Sequence, residues 1–141
     1  MADIDLSALT LSLPEIDEDH AASVELWRAA AAAGPEEFVE RLAAFVDHLG
    51  EHFVREEALM RAVDYKEIVH HVAEHARTIG EARRFLEQAR AGRTVMARAY
   101  VAELVPDWFR RHVLMFDSEV ARVVKLARAA PDPAAASAVD G

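Results

Sequence analysis

The sequence places His71 and His75 four residues apart, a spacing that sets both imidazoles on one face of a helix, one turn apart. Two imidazoles in this arrangement can bind one metal ion, each through a single nitrogen. The zinc-protease pattern HExxH is absent, since the glutamate between the two histidines is Glu74, directly before the second. The pair alone leaves two interpretations open, a metal site or structural and surface histidines.

Glu56 is a carboxylate in an otherwise apolar helical stripe, with His52 one turn before it on the same face. An ionised carboxylate is costly to bury, so Glu56 must be protonated, paired with a base or bound to a metal. The stripe around it contains no lysine or arginine. Because the chain has no cysteine, any metal has to be held by histidine, aspartate and glutamate. The Glu-x-x-His pattern of ferritin-like bundles occurs only from Glu67 to His70, off the predicted stripe, which disfavours that class.

Four amphipathic helices are predicted to position these side chains, because apolar residues recur at spacings of three and four in an alanine-rich chain. The predicted helices cover residues 17–33, 35–62, 64–91 and 94–129. Gly34-Pro35 and Gly92 mark breaks, Asp64 is expected to cap the third helix, and Pro106 is expected to kink or split the fourth. Every stripe carries a histidine, and the short connections predict an all-α, up-down-up-down four-helix bundle with a metal site between its helices.

Asp117 follows His112 by five residues, an angle of about 140° on an ideal helix. Spacing alone therefore does not place both side chains on one face. Either Asp117 reaches across the bundle axis, or a local π-bulge brings the two together.

The charge distribution predicts what surrounds the bundle. A net charge of −9 argues against nucleic acid or an anionic membrane as a partner. Residues 1–19 hold six acidic residues and no basic one, so 1–15 is expected to be a solvated acidic arm, 16–129 the bundle, and 130–141 a disordered Ala/Pro-rich tail. No stretch approaches the roughly 18 apolar residues of a membrane span, and no basic export signal is visible, so a cytoplasmic location is expected.

The order of these motifs resembles that of the hemerythrin family, more closely its single-domain bacterial members, over residues 16 to about 120. The motifs are Ile16-Asp17-x-x-His20, His52-Phe53-x-x-Glu56-Glu57-x-Leu59-Met60, Tyr65 followed by His71-x-x-x-His75, and Trp108-x-x-x-His112-x-x-x-x-Asp117. The resemblance implies a non-haem di-iron centre with an oxo or hydroxo bridge. It implies that one iron is held by His71, His75 and His112. The other iron would be held by His20 and His52, and Glu56 and Asp117 would bridge the two.

The resemblance also implies reversible dioxygen binding, for carriage, storage or sensing, at one open position on the iron with two histidines. Ser23, Trp108 and Val113 are expected to line the dioxygen pocket. The alternatives are a di-iron redox enzyme acting on peroxide or nitric oxide, and an iron-storage or iron-sensing module. Dioxygen binding and both alternatives are compatible with a redox or delivery partner protein. Imidazole and carboxylate ligands also suit zinc and manganese.

Several residues around the predicted ligands depart from the family pattern or have undetermined roles. Ser23 stands where the family usually has an apolar residue, Asp19 where it has glutamine, and His48 where it has tyrosine. A ligating imidazole normally donates its second N–H to a nearby acceptor, for which Asp19, Glu57 and Glu74 are candidates. His48 is expected to be a half-exposed surface group, with a contact to a ligand as the alternative.

Overall fold

The structure is a computed structural model that describes residues 3–130, and the regular secondary structure within these residues is entirely helical. Three helices are continuous: α1 (Pro14–Ala32), α2 (Phe38–Ala62) and α3 (Ile68–Arg90). The fourth consists of α4 (Val95–Ala99), α5 (Val105–His112) and α6 (Ser118–Ala129), joined by π-helical turns at Tyr100–Leu104 and Val113–Asp117. Helix α1 packs on α2, α2 on α3, and α3 on α4. The predicted all-α four-helix bundle is confirmed.

Pro106 lies two residues beyond the π turn at Tyr100–Leu104 and leaves one carbonyl of that turn without its helical partner. The amide of Val105 donates to the carbonyl of Tyr100, five residues back. In this register the next amide, which would serve Val101, belongs to Pro106 and does not exist. The indole Nε1 of Trp27 in α1 donates to the Val101 carbonyl instead, at 2.6 Å. Helix α1 therefore supplies the hydrogen bond that the fourth helix lacks at Val101.

The connections differ from the prediction at three points. Helix α2 begins at Phe38, three residues after the predicted start at residue 35, so Pro35 lies in the turn before the helix and not in its first turn. Asp64 has a φ of 51°, so it lies in a left-handed turn and does not cap the next helix, which begins at Ile68; the prediction that it caps α3 is wrong. Helix α1 begins at Pro14, earlier than predicted, because proline suits the first helical turn and Asp17 accepts the amides of Leu11 and Leu13. Gly92 ends α3 as predicted, with a φ of 86°.

The acidic N-terminal segment packs against the bundle. A short 3-10 helix spans Leu6–Leu9, and Ile4 and Leu9 are 5% and 6% exposed within the main core. The expectation of a solvated arm is wrong for residues 3–13, because the apolar side chains between the acids share one side and bury it. Beyond Ala130 the predicted tail lies outside the described residues. None of the helices within 3–130 has both the length and the apolar composition needed to cross a bilayer.

The core consists of two apolar clusters with a polar layer between them. Along α2, Phe53 belongs to the larger cluster and Met60 to the smaller, and Glu56 lies between them. Along α1, Val24 and Ile16 flank His20 in the same way. The bundle therefore positions its buried polar side chains at one level, away from its ends.

Candidate metal centre

Seven histidine and carboxylate side chains meet in this polar layer. None is more than 3% exposed, and all four helices contribute. The seven are His20 from α1, His52 and Glu56 from α2, His71 and His75 from α3, and His112 and Asp117 from the fourth helix. The structure thus brings together every residue that the sequence suggested as a ligand.

The seven side chains form two groups with two members in common. One group contains Glu56, His71, His75, His112 and Asp117, and the other contains His20, His52, Glu56 and Asp117; the ligand atoms within each group lie within 4.8 Å of one another. Each group is compact enough for its atoms to coordinate one ion. The two carboxylates belong to both, so each can offer one oxygen to either side.

Glu56 is one of the two carboxylates that belong to both groups. Its Oε1 lies 2.8 Å from Nε2 of His71 and 3.8 Å from Nε2 of His75, and its Oε2 lies 3.2 Å from Nε2 of His52. One oxygen therefore faces the three-histidine group and the other faces the two-histidine group. This division is the one that a bridging carboxylate requires.

Asp117 divides its oxygens in the same way. Its Oδ2 lies 2.8 Å from Nε2 of His20, and its Oδ1 lies 3.1 Å from Nε2 of His112 and 3.3 Å from Nε2 of His71. The contact with His112 depends on the π-helical turn Val113–Asp117. Of the two alternatives for this pair, the structure has the π-bulge.

The unsatisfied polar atoms test whether a metal suits the site. Buried side-chain atoms normally have hydrogen-bond partners. Six ligand atoms within residues 3–130 have none, although nitrogen and oxygen atoms lie close together: both oxygens of Glu56, Oδ1 of Asp117, and Nε2 of His71, His75 and His112. The lone pairs of these atoms point toward a common space without forming hydrogen bonds, and a cation in that space would satisfy them. Imidazole nitrogen and carboxylate oxygen suit iron, zinc and manganese, so the site fits a pair of such ions.

Two of the histidines donate a hydrogen bond from Nδ1–H, the nitrogen that faces away from the centre, to a carboxylate. Nδ1 of His52 lies 3.1 Å from Oδ2 of Asp19, and Nδ1 of His75 lies 2.9 Å from Oε2 of Glu57. Such bonds fix the ring and direct Nε2 inward. One histidine in each group is held in this manner. The third candidate, Glu74, binds Arg77 instead.

Arg55 holds Asp19 in place, a contact that the sequence did not predict. Its Nε and Nη2 atoms each lie 2.8 Å from an Asp19 oxygen, a two-pronged ion pair. Burial alone would raise the pKa of Asp19, but the hydrogen bonds from His52 and Arg55 hold it well below its usual range. Asp19 therefore stays charged. Arg55 is not on the stripe of α2, so helical spacing gave no indication of this pair.

Burial and the neighbouring charges shift the pKa values of three buried histidines in opposite directions. Burial lowers the pKa of His52, but Asp19 and Glu56 outweigh it and raise that pKa to about 9. Asp117 and Glu56 likewise overcome burial and raise the pKa of His71 to about 9. Burial and the positive charge of neighbouring histidines lower the pKa of His75 to about 2. A metal cation bound here would displace the Nε2 proton from His52 and from His71, and each ring would keep its other N–H.

Aromatic rings surround the three-histidine group. Phe53 stacks on His75 with ring centres 3.9 Å apart, and His112 lies between Trp108 and Phe116 at 4.9 and 5.2 Å. Of the predicted pocket residues, Ser23 and Val113 are buried and Trp108 is half-buried. These rings limit the access of water to the ligand atoms.

The fold and the buried cluster define a class, the helical bundles with a metal-binding interior. Residues 12–124 match the sequence profile of a family described as "Hemerythrin HHE cation binding domain". The bacteriohemerythrin of Ralstonia nicotianae is 36% identical over 110 residues, which cover 78% of this chain and 80% of the relative. The chain belongs to the hemerythrin HHE cation-binding family, as the sequence motifs predicted.

Proposed function

We propose that this protein binds dioxygen reversibly at a pair of iron ions. One observation carries the proposal: two groups of ligand atoms, one with three histidines and one with two, share Glu56 and Asp117. In the proposed centre His71, His75 and His112 would hold one iron and His20 and His52 the other. Glu56 and Asp117, which belong to both groups, would be shared by the two ions, as would an oxo or hydroxo group. The similarity to a bacteriohemerythrin supports the same assignment.

The uneven number of histidines gives the two ions different tasks. The three-histidine ion would be closed by its ligands, whereas the two-histidine ion would keep a position for a small molecule. The iron pair would supply the two electrons that dioxygen accepts when it binds. The protein's own part is to hold the imidazoles through Asp19 and Glu57 and to exclude bulk water.

We further propose that Ser23, Val113 and Trp108 line the space for the ligand. Ser23 lies one helical turn beyond His20, and Val113 directly follows His112. All three are at least half-buried, so a neutral diatomic molecule would leave water when it enters. A cytoplasmic location and a redox or delivery partner stay predictions.

Anaerobic reduction of the iron-loaded protein followed by dioxygen tests the proposal. The expected result is a coloured complex that forms on addition of dioxygen, persists for minutes, and is lost under vacuum with return of the reduced spectrum. Protein loaded with zinc is the matched control and should show no change. Rapid oxidation that vacuum does not reverse would contradict reversible binding. Rapid turnover of peroxide or nitric oxide would favour the enzyme alternative.

A further inference from the structure

Ser23 is a serine in the middle of a helix with an unusual environment. It lies within α1, is 2% exposed, and its hydroxyl has no hydrogen-bond partner among residues 3–130. A serine inside a helix normally faces solvent or donates to the carbonyl four residues back. Ser118 does the latter, with its hydroxyl 2.6 Å from the carbonyl oxygen of Leu114. Ser23 does neither.

His48 provides the physical reason. The carbonyl four residues before Ser23 is that of Asp19, and its oxygen lies 3.2 Å from Nε2 of His48 in α2. A carbonyl oxygen has two lone pairs. The amide of Ser23 uses one in the ordinary helical bond, and the His48 imidazole uses the other. The usual acceptor for the Ser23 hydroxyl is therefore occupied by a side chain from the neighbouring helix.

Ser23 lies on the side of α1 that faces the centre. Ser23 follows His20 by three residues, which places both on one face of α1. His20 belongs to the two-histidine group, where the proposed centre keeps a position for a small molecule. A buried hydroxyl without a protein partner at this place can donate a hydrogen bond to a ligand beside His20.

We propose that the Ser23 hydroxyl donates a hydrogen bond to the small ligand held beside His20 and His52, and that His48 keeps that hydroxyl available. The ligand class is a diatomic or triatomic molecule with acceptor lone pairs, neutral or singly negative. This inference rests on the proposed function, since it concerns the same site. A hydrogen bond from a fixed hydroxyl strengthens as the ligand gains negative charge, so it slows ligand release.

The test compares Ser23→Ala and His48→Phe with the parent, all loaded with iron. Loss of one hydrogen bond should speed dioxygen release about three- to tenfold in Ser23→Ala. His48→Phe should show the same direction, because the freed Asp19 carbonyl then takes the Ser23 hydroxyl. His48→Gln, which keeps an N–H donor, is the matched control and should release dioxygen at the parent's rate. Equal release rates in the parent and Ser23→Ala would overturn the inference while leaving the proposed function intact.

Two further measurements separate this inference from the proposed function. If the parent forms no dissociable dioxygen complex, the proposed function fails, and azide affinity of the oxidised iron protein then tests Ser23. Ser23→Ala should weaken azide about three- to tenfold, and an unchanged azide affinity or no azide binding would contradict the inference. Thermal unfolding of metal-depleted Ser23→Ala should occur no lower than in the parent. A lower midpoint would mean that the hydroxyl has a structural partner.

Discussion

His112 and Asp117 are five residues apart in the sequence, and yet Nε2 of the histidine lies 3.1 Å from Oδ1 of the aspartate. An ideal α-helix would turn these side chains about 140° apart. The π-helical turn Val113–Asp117 removes that difference. Both side chains therefore enter the same buried layer, and a local irregularity in one helix completes the candidate centre.

Glu56→Ala should lose iron and metal-dependent stability together. Glu56 contacts His52, His71 and His75 through its two oxygens, so its removal takes a ligand from both groups. Because metal binding contributes to folding, the midpoint of thermal unfolding of the iron-loaded sample should fall as its iron content falls. Metal analysis and calorimetry on one preparation check this. Glu51→Ala, an exposed glutamate on the same helix, is the control and should keep both; full iron content in Glu56→Ala would contradict the bridging role.

Asp19→Ala should weaken iron binding without unfolding the bundle. Asp19 fixes His52 through Nδ1, and partners of this kind typically contribute about 10- to 100-fold in metal affinity. Competition with a chelator measures the change. The control is Glu25→Ala, an exposed carboxylate on the same helix that pairs with Arg28. Asp19→Asn, whose amide oxygen can still accept from His52, should recover part of the affinity. An affinity for iron in Asp19→Ala equal to that of the parent would show that His52 needs no partner.

Trp27→Phe should destabilise the protein mainly through the Val101 carbonyl. The indole N–H supplies the hydrogen bond that Pro106 denies to this carbonyl, and an unsatisfied buried acceptor costs about 1–3 kcal/mol. Urea unfolding of metal-depleted protein measures the change in the free energy of unfolding. In a Pro106→Ala background, residue 106 gains an amide that can serve Val101. There the same tryptophan substitution should cost about 1 kcal/mol less. An equal cost in both backgrounds would mean that the proline and the tryptophan are not coupled.

Leu9→Ala should destabilise the protein, although the residue lies in the acidic N-terminal segment. Leu9 is 6% exposed within the main core, and removing a buried leucine typically costs about 2–5 kcal/mol. Leu126→Ala, at a leucine that is 58% exposed, is the matched control and should change the free energy of unfolding by less than about 0.5 kcal/mol. If both substitutions had the same small effect, the segment would not be part of the folded core.

Helical spacing predicted both the bundle and the candidate ligands, because it identified polar residues on the faces that the helices bury. His71 and His75, and His52 and Glu56, are each four residues apart, so one period places each pair. The position of Asp117 required a π turn, which depends on helix geometry that the pattern leaves open. The contacts of Arg55 and His48 with Asp19 join two helices, and no local pattern encodes them. The N-terminal segment was predicted to be solvated because of its acidic residues, and its few apolar residues did not show from the sequence that they would be buried.

Metal analysis combined with an ultraviolet–visible spectrum of the protein purified in air measures directly whether the bundle holds a pair of iron ions. The two ligand groups that share Glu56 and Asp117 predict two irons per chain, with charge-transfer bands of an oxo-bridged pair. One zinc ion per chain and a colourless solution would contradict the account.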